Sequence, residues 1–204
     1  MLKARDRERG FTLVEIAIAL AVVVILLKLG APSFADWLQN LQTRAATEAV
    51  LNGLQAARAE AVRRNTQVRF QFVSDLTASC ALSATSLNWV VSVGDPSGKC
   101  NQSIDTATPG PVVQGRAAQE ASPNATLAIT PSGTAPPVTT VTFNALGGVV
   151  PQNADGSLPI TQVDLSNPMV TGPTARPLRV VVSAGGSIRM CDPAVTAPDP
   201  RACP

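Results

Sequence analysis

Hydrophobic side chains are distributed along this chain in three regimes. Residues 11–31 are almost wholly apolar, with Glu15 and Lys28 the only charges. The uncharged heart of that run, residues 16–27, is 12 residues long. Counted from Phe11 to Ala31, the run reaches the roughly 20 residues that a helix needs to cross hydrocarbon. Beyond Pro32, where a proline predicts a kink, the apolar character becomes one-sided. Phe34, Trp37, Leu38, Leu41, Ala45, Val50, Leu54, Ala57 and Ala61 recur mostly at three- and four-residue steps, the signature of a helical stripe. Arg63 and Arg64 suit a helix carboxyl end, and Asn65 suits the cap. A helix of 54 residues from 11 to 64 would be about 80 Å long.

The third regime is β. Residues 67–73, Gln-Val-Arg-Phe-Gln-Phe-Val, alternate polar and apolar side chains as a half-buried strand does. Residues 88–93, 126–130, 138–143, 178–182 and 187–191 are further candidate strands, and Gly185-Gly186 between the last two predicts a hairpin turn. Pro109-Gly110-Pro111 and Pro136-Pro137 punctuate the intervening sequence. The expected organisation is a charged leader over residues 1–10, a membrane helix over 11–31, an amphipathic continuation over 32–65 and a β-rich domain over 66–204.

Composition narrows the chemistry. The chain has no histidine and no tyrosine, so its core must rest on Val, Leu, Ile and Ala. Without histidine, Ser-His-Asp, Cys-His and H-E-x-x-H sites are excluded. Gly94 to Gly98-Lys99 resembles a phosphate loop only loosely: the glycines are one residue too close, and Cys100 stands where a hydroxyl should bind magnesium. It reads as a turn. Enzyme function and a cofactor are not expected. The four cysteines fall in two clusters, Cys80 with Cys100 and Cys191 with Cys203. The sequence-local pairing is the simplest of three, and it fits an oxidising compartment. With no C-x-x-C pair and no histidine, a metal site is not expected.

Charge is lopsided. The leader carries Lys3, Arg5, Arg7 and Arg9 against Asp6 and Glu8, and the remainder of the chain has 12 basic and 12 acidic side chains. Residues 71–170 are acidic, whereas 171–204 carry Arg176, Arg179, Arg189 and Arg201 against Asp192 and Asp199.

Glu15 is the most telling residue. A carboxylate within a membrane segment costs several kcal/mol unless it is paired. A secretory signal peptide would account for the basic leader and apolar run, with Ser33-Phe34-Ala35 as a cleavage site. It accounts poorly for Glu15 and Lys28, and a plain membrane anchor leaves Gly10, Phe11 and Glu15 unexplained as a set. Arg9-Gly10-Phe11-Thr12-Leu13-Val14-Glu15 resembles the class III signal of type IV prepilins and type II secretion pseudopilins. The run Leu54-Gln55-Ala56-Ala57-Arg58-Ala59-Glu60-Ala61-Val62-Arg63-Arg64-Asn65 and the last hairpin, Leu178-Arg179-Val180-Val181-Val182 then Gly185-Gly186-Ser187-Ile188-Arg189-Met190-Cys191, are similar to the GspH/FimT branch of that class. Residues 74–170 match nothing comparable.

The resemblance implies an α+β fold, a long amino-terminal helix packed on antiparallel sheets. It implies that a prepilin peptidase cuts after Gly10 and methylates the new amino terminus at Phe11. Glu15 would then neutralise the terminal amine of a neighbouring subunit during filament assembly. The implied partners are other pilins or pseudopilins and the bacterial inner membrane, with the carboxyl-terminal domain in the periplasm. Two functions follow from it: a minor pilin or pseudopilin that primes or caps a type IV pilus or secretion pseudopilus, or a subunit that also captures DNA. Some FimT-like minor pilins bind DNA through a hairpin motif G-R-x-R. Here Gly186-Ser187-Ile188-Arg189 lacks the first arginine, leaving Arg176, Arg179, Arg189 and Arg201 as the candidate DNA contacts.

Overall fold

A computed structural model describes residues 11–104, 110–117, 122–131 and 138–204. The leader, including Gly10, the prolines at 109, 136 and 137 and most of the three punctuating segments lie outside the described residues. The chain divides into two compact units, residues 1–37 and residues 38–204.

One helix, α1 (Leu13–Arg64), is 52 residues long and is assigned as helix through position 32. Its last turn ends as the sequence predicts. Asn65 takes a left-handed φ of 50°, its N–H donates to the Val62 carbonyl, and the Thr66 N–H donates to Ala61. This pair of bonds is the Schellman arrangement, which satisfies carbonyls that the helix end would otherwise orphan.

Eight strands follow: β1 (Val68–Phe72), β2 (Trp89–Ser92), β3 (Val112–Arg116), β4 (Thr126–Pro131), β5 (Thr140–Phe143), β6 (Ile160–Ser166), β7 (Leu178–Val182) and β8 (Ile188–Cys191). They form two four-stranded sheets of order β3-β2-β1-β5 and β4-β6-β7-β8, and every pairing is antiparallel. The expected α+β class is therefore the one found. Six strands lie where the sequence predicts them, and the Gly185-Gly186 turn closes β7 onto β8. β3 and β6 were not anticipated. In β6 the register slips opposite Thr130 and Pro131, so that Thr161 is an extra residue between the paired Ile160 and Gln162. That bulge puts two residues between buried Ile160 and buried Val163 and hides the period of two. β3 holds a glycine and has only its first residue buried, so no alternation marks it.

The core lies between one face of α1 and both sheets. Ala46, Val50, Leu54, Ala57 and Ala61 pack with Phe70, Phe72, Trp89, Val91 and Phe143 of the first sheet and with Val163, Leu165, Val180 and Val182 of the second. At Gly53 the helix comes so close that an added Cβ would stand 2.7 Å from the Phe70 ring and 2.9 Å from Trp89. The amino-terminal half of the expected stripe requires correction. Phe34, Trp37, Leu38 and Leu41 are 42–59% exposed, and burial begins at Thr43, Ala46 and Thr47. The step from Ala45 to Val50 is five residues, or about 140° of rotation. It marks a change from one helix face to another, and only the second face meets the sheets.

A smaller apolar cluster of Val73, Cys80, Val90, Cys100 and Val112 lies on the other face of the first sheet. The structure pairs Cys80 with Cys100 and Cys191 with Cys203.

Candidate functional site

The amino-terminal segment is built around its cap. Thr12 stands just before α1, and its Oγ1 accepts a hydrogen bond of 3.2 Å from the Glu15 N–H, while the Thr12 carbonyl accepts from Ile16. This is one arm of a capping box, Thr-x-x-Glu. It fixes Glu15 in the first helical turn, where a carboxylate also meets the positive end of the helix dipole. Sequence reading singled out Glu15 but overlooked Thr12, although the T-x-x-E spacing was there to be seen. Phe11 is 79% exposed, and Leu13 to Leu27 present large apolar side chains that no described residue covers. An 18-residue window of α1 has a mean hydropathy of 2.6, so the helix is long and apolar enough to cross a membrane.

The carboxyl-terminal arginines meet acids as often as they meet open surface. Val180 and Val182 of β7 face the core, which turns Arg179 outward, and the β7–β8 register sets Arg189 opposite Val181 on that same outer face. Arg179 donates from Nε to Asp164 of β6 at 2.6 Å, with both side chains 29% exposed. Arg201 lies in the tail beside β8, held by the Asp192 N–H to Arg201 carbonyl bond of 2.8 Å, and pairs with Asp199 at 2.8 Å. Its hydrogen bonds, backbone and side chain together, hold the Asp199 carboxyl at about 2. Arg176 is spent locally: its guanidinium donates to the Pro173 and Ala175 carbonyls, and its N–H donates to Asn40 of α1. Of these four arginines, only Arg189 makes no side-chain hydrogen bond or ion pair among the described residues. The four arginines taken with Asp164, Asp192 and Asp199 carry a net charge of +1.

Gly186, the glycine of the candidate DNA motif, answers to packing. Its φ is 79°, and an added Cβ would stand 1.8 Å from the Gly147 carbonyl oxygen. Arg58 of α1 donates to that same oxygen at 3.1 Å, so helix, β5 turn and β7–β8 turn meet at this point. Neither Asp164 nor Gly147 could be assigned to these partners from sequence, since no local pattern links residues 15 or 39 positions apart.

Among the described residues no group of three or more Cys, Asp or Glu is placed to hold a metal ion.

The family described as type II transport protein GspH matches residues 46–186, and the prokaryotic N-terminal methylation motif matches residues 5–27. Two crystal structures of the type IV minor pilin FimU of Pseudomonas aeruginosa strain PAO1 match in part, each at 19% identity. That in space group P65 has a TM-score of 0.42 and covers 72% of this chain and 90% of its own. That in P21 has a TM-score of 0.45 and covers 76% and 91%. Comparison with curated protein sequences gives no match. The GspH match spans well over half of the chain, the methylation motif coincides with the segment around Gly10, Phe11 and Glu15, and the chain belongs to the GspH family of type IV minor pilins and pseudopilins.

Proposed function

We propose that this protein is a minor subunit of a type IV pilus or type II secretion pseudopilus, processed after Gly10 and assembled through Glu15. The observation that carries the reading is the start of α1: Glu15 is held in its first turn by Thr12, at the head of an apolar run that none of the described residues buries. Removing the leader creates a free amine at Phe11, four residues before that carboxylate. In a filament, the amine of one subunit and Glu15 of the next can pair within a low-dielectric core. Such a pair contributes little net stability but is costly to break, so it enforces one axial register. The uncleaved subunit would sit in the bacterial inner membrane with residues 66–204 in the periplasm, where both disulfides are stable. A prepilin peptidase is the expected processing partner, and other pilins or pseudopilins are the expected filament partners.

The test separates processing from assembly. Gly10→Val should leave the leader attached, read as intact mass. Glu15→Ala should be cleaved and methylated at Phe11 yet be at least tenfold depleted in sheared filament or pseudopilus fractions. Wild-type incorporation of the Glu15→Ala subunit would refute the assembly role.

DNA capture is the alternative, and its support is the exposed, unpaired Arg189. The single net charge of the surrounding face favours the structural reading, because non-specific DNA affinity scales with the phosphates neutralised. Titration of the detergent-solubilised chain with duplex DNA at low and physiological salt, beside Arg189→Ala, distinguishes them. Salt-sensitive binding lost in the variant would establish capture.

A further inference from the structure

The first sheet has a second face, turned away from α1, and its β1–β5 side is polar. Arg69 and Gln71 of β1 alternate with the core residues Val68, Phe70 and Phe72, and so point to that side. Ser92, Thr140 and Thr142 join them there, all at most 2% exposed. The loop after β5 closes over part of this face through Asn153, 4% exposed, which accepts from the Thr142 hydroxyl at 2.8 Å and donates to the Thr140 and Leu158 carbonyls. A cavity of about 260 Å³ remains between this loop and the segment around Asp95. Its floor is Gln71, Thr140 and Asn153, its side is Arg69, and its mouth carries Leu82, Asp95 and Asp155.

Two side-chain donors open onto the cavity. Gln71 is 3% exposed, and one end of its amide is held by the Ser92 hydroxyl at 2.7 Å. The other end, Nε2, lines the cavity and donates to none of the described residues. The Arg69 side chain is half-buried and makes no hydrogen bond or ion pair among the described residues. The two acids at the mouth are turned to their own loops. Asp95 accepts from the Ser97 N–H at 3.0 Å, and Asp155 accepts from the Ser157 N–H at 2.9 Å and its hydroxyl at 2.7 Å. The Ser157 hydroxyl chiefly, and the Arg69 charge among lesser causes, hold the Asp155 carboxyl below its ordinary range.

We propose that this cavity is a binding site for a single carboxylate carried on a peptide-like group, with Arg69 as the charge partner and the open end of the Gln71 amide as the second contact. A guanidinium offers a planar fork that matches a carboxylate. The Gln71 Nε2 alongside it can donate to a carboxylate oxygen or to an adjoining peptide carbonyl. The acids at the mouth repel a multiply charged anion such as phosphate, and the volume suits one residue rather than an extended ligand. The source of the carboxylate is a chain terminus, an acidic side chain of a partner subunit, or a free small acid.

The experiment uses the full chain in detergent and follows the Gln71 side-chain amide and the Arg69 Nε–H by NMR. N-acetylglycine, its amide, acetyl-trialanine with a free carboxyl terminus, and acetate are titrated in parallel. The two acylated acids should shift both resonances and the amide should not. Arg69→Gln should weaken the response tenfold or more, and Asp155→Asn should strengthen it several-fold. Tighter binding of the tripeptide than of acetate identifies a protein carboxylate as the ligand, and equal binding identifies a free small acid. Equal responses to acid and amide, or an unchanged affinity in a folded Arg69→Gln chain, would overturn the proposal.

Discussion

Single residues in this protein are held by partners that no local pattern names. Gly186 is the clearest example. Its positive φ already favours glycine, and the Gly147 carbonyl occupies the space where a Cβ would go. Gly186→Ala should therefore cost about 2–4 kcal/mol in urea unfolding, because a backbone oxygen cannot move aside as a flexible side chain can. The same substitution made for a DNA-binding role would leave stability untouched. Asp199 is the contrasting local case, since its partner Arg201 is two residues away. The Arg201 hydrogen bonds hold its carboxyl at about 2, below the ordinary 3.8. A depressed carboxyl adds stability that is complete above the ordinary value and is lost as the pH falls through the folded one. The Asp199 carboxyl carbon should therefore titrate near 2, and the tail from residue 192 should loosen only within the window from 3.8 down to about 2. In Arg201→Ala the midpoint should return towards the ordinary value. A titration unchanged in that variant would show that the pair does not act on the carboxyl.

At the scale of elements, the helix and most strands were legible because their signals are short-range. The Schellman end at Asn65 needs only two basic residues and an asparagine after a helical run. The alternation of β1 needs only seven residues. β6 escaped because Thr161 bulges and breaks its period, and the front of the α1 stripe misled because helical spacing persists across a change of face. Gly53 shows what that spacing leaves out. Its helix propensity is about 1 kcal/mol worse than alanine, yet an alanine Cβ would stand inside contact distance of Phe70 and Trp89, both fully buried. The two effects oppose, and crowding of two rings with no free volume outweighs propensity. Gly53→Ala should lose about 1–2 kcal/mol in denaturant unfolding, whereas an Ala at an exposed helix glycine would gain stability. A stabilised Gly53→Ala would mean that the helix can shift off the aromatic pair.

For the whole molecule, the two disulfides divide the labour. Cys80–Cys100 closes 20 residues over the small second core and is itself buried, whereas Cys191–Cys203 closes 12 residues of mostly exposed tail. The chain-entropy model assigns each about 3 kcal/mol. Replacing Cys80 and Cys100 by serine should remove at least that much from global stability, because it also places hydroxyls among Val73, Val90 and Val112. Replacing Cys191 and Cys203 should act more locally, speeding amide exchange over residues 192–202 more than it lowers the urea midpoint. Equal global losses in the two variants would show that the tail clasp supports the second sheet as a whole.

Sequence alone determined the classes of residue and their order: an apolar segment headed by Gly10, Phe11 and Glu15, a helix ending at Asn65, a β-rich remainder, and a chain without histidine chemistry. These are readable because periodicity, capping and motif spacing act within a few turns or a single strand. Tertiary structure alone decided which helix face is buried, that Asp164 answers Arg179, that Gly186 packs on Gly147, and that Arg69 and Gln71 line a cavity. Each of these depends on which strands become neighbours. Strand pairing joins residues tens of positions apart through contacts whose free energy appears only when the whole core closes around them.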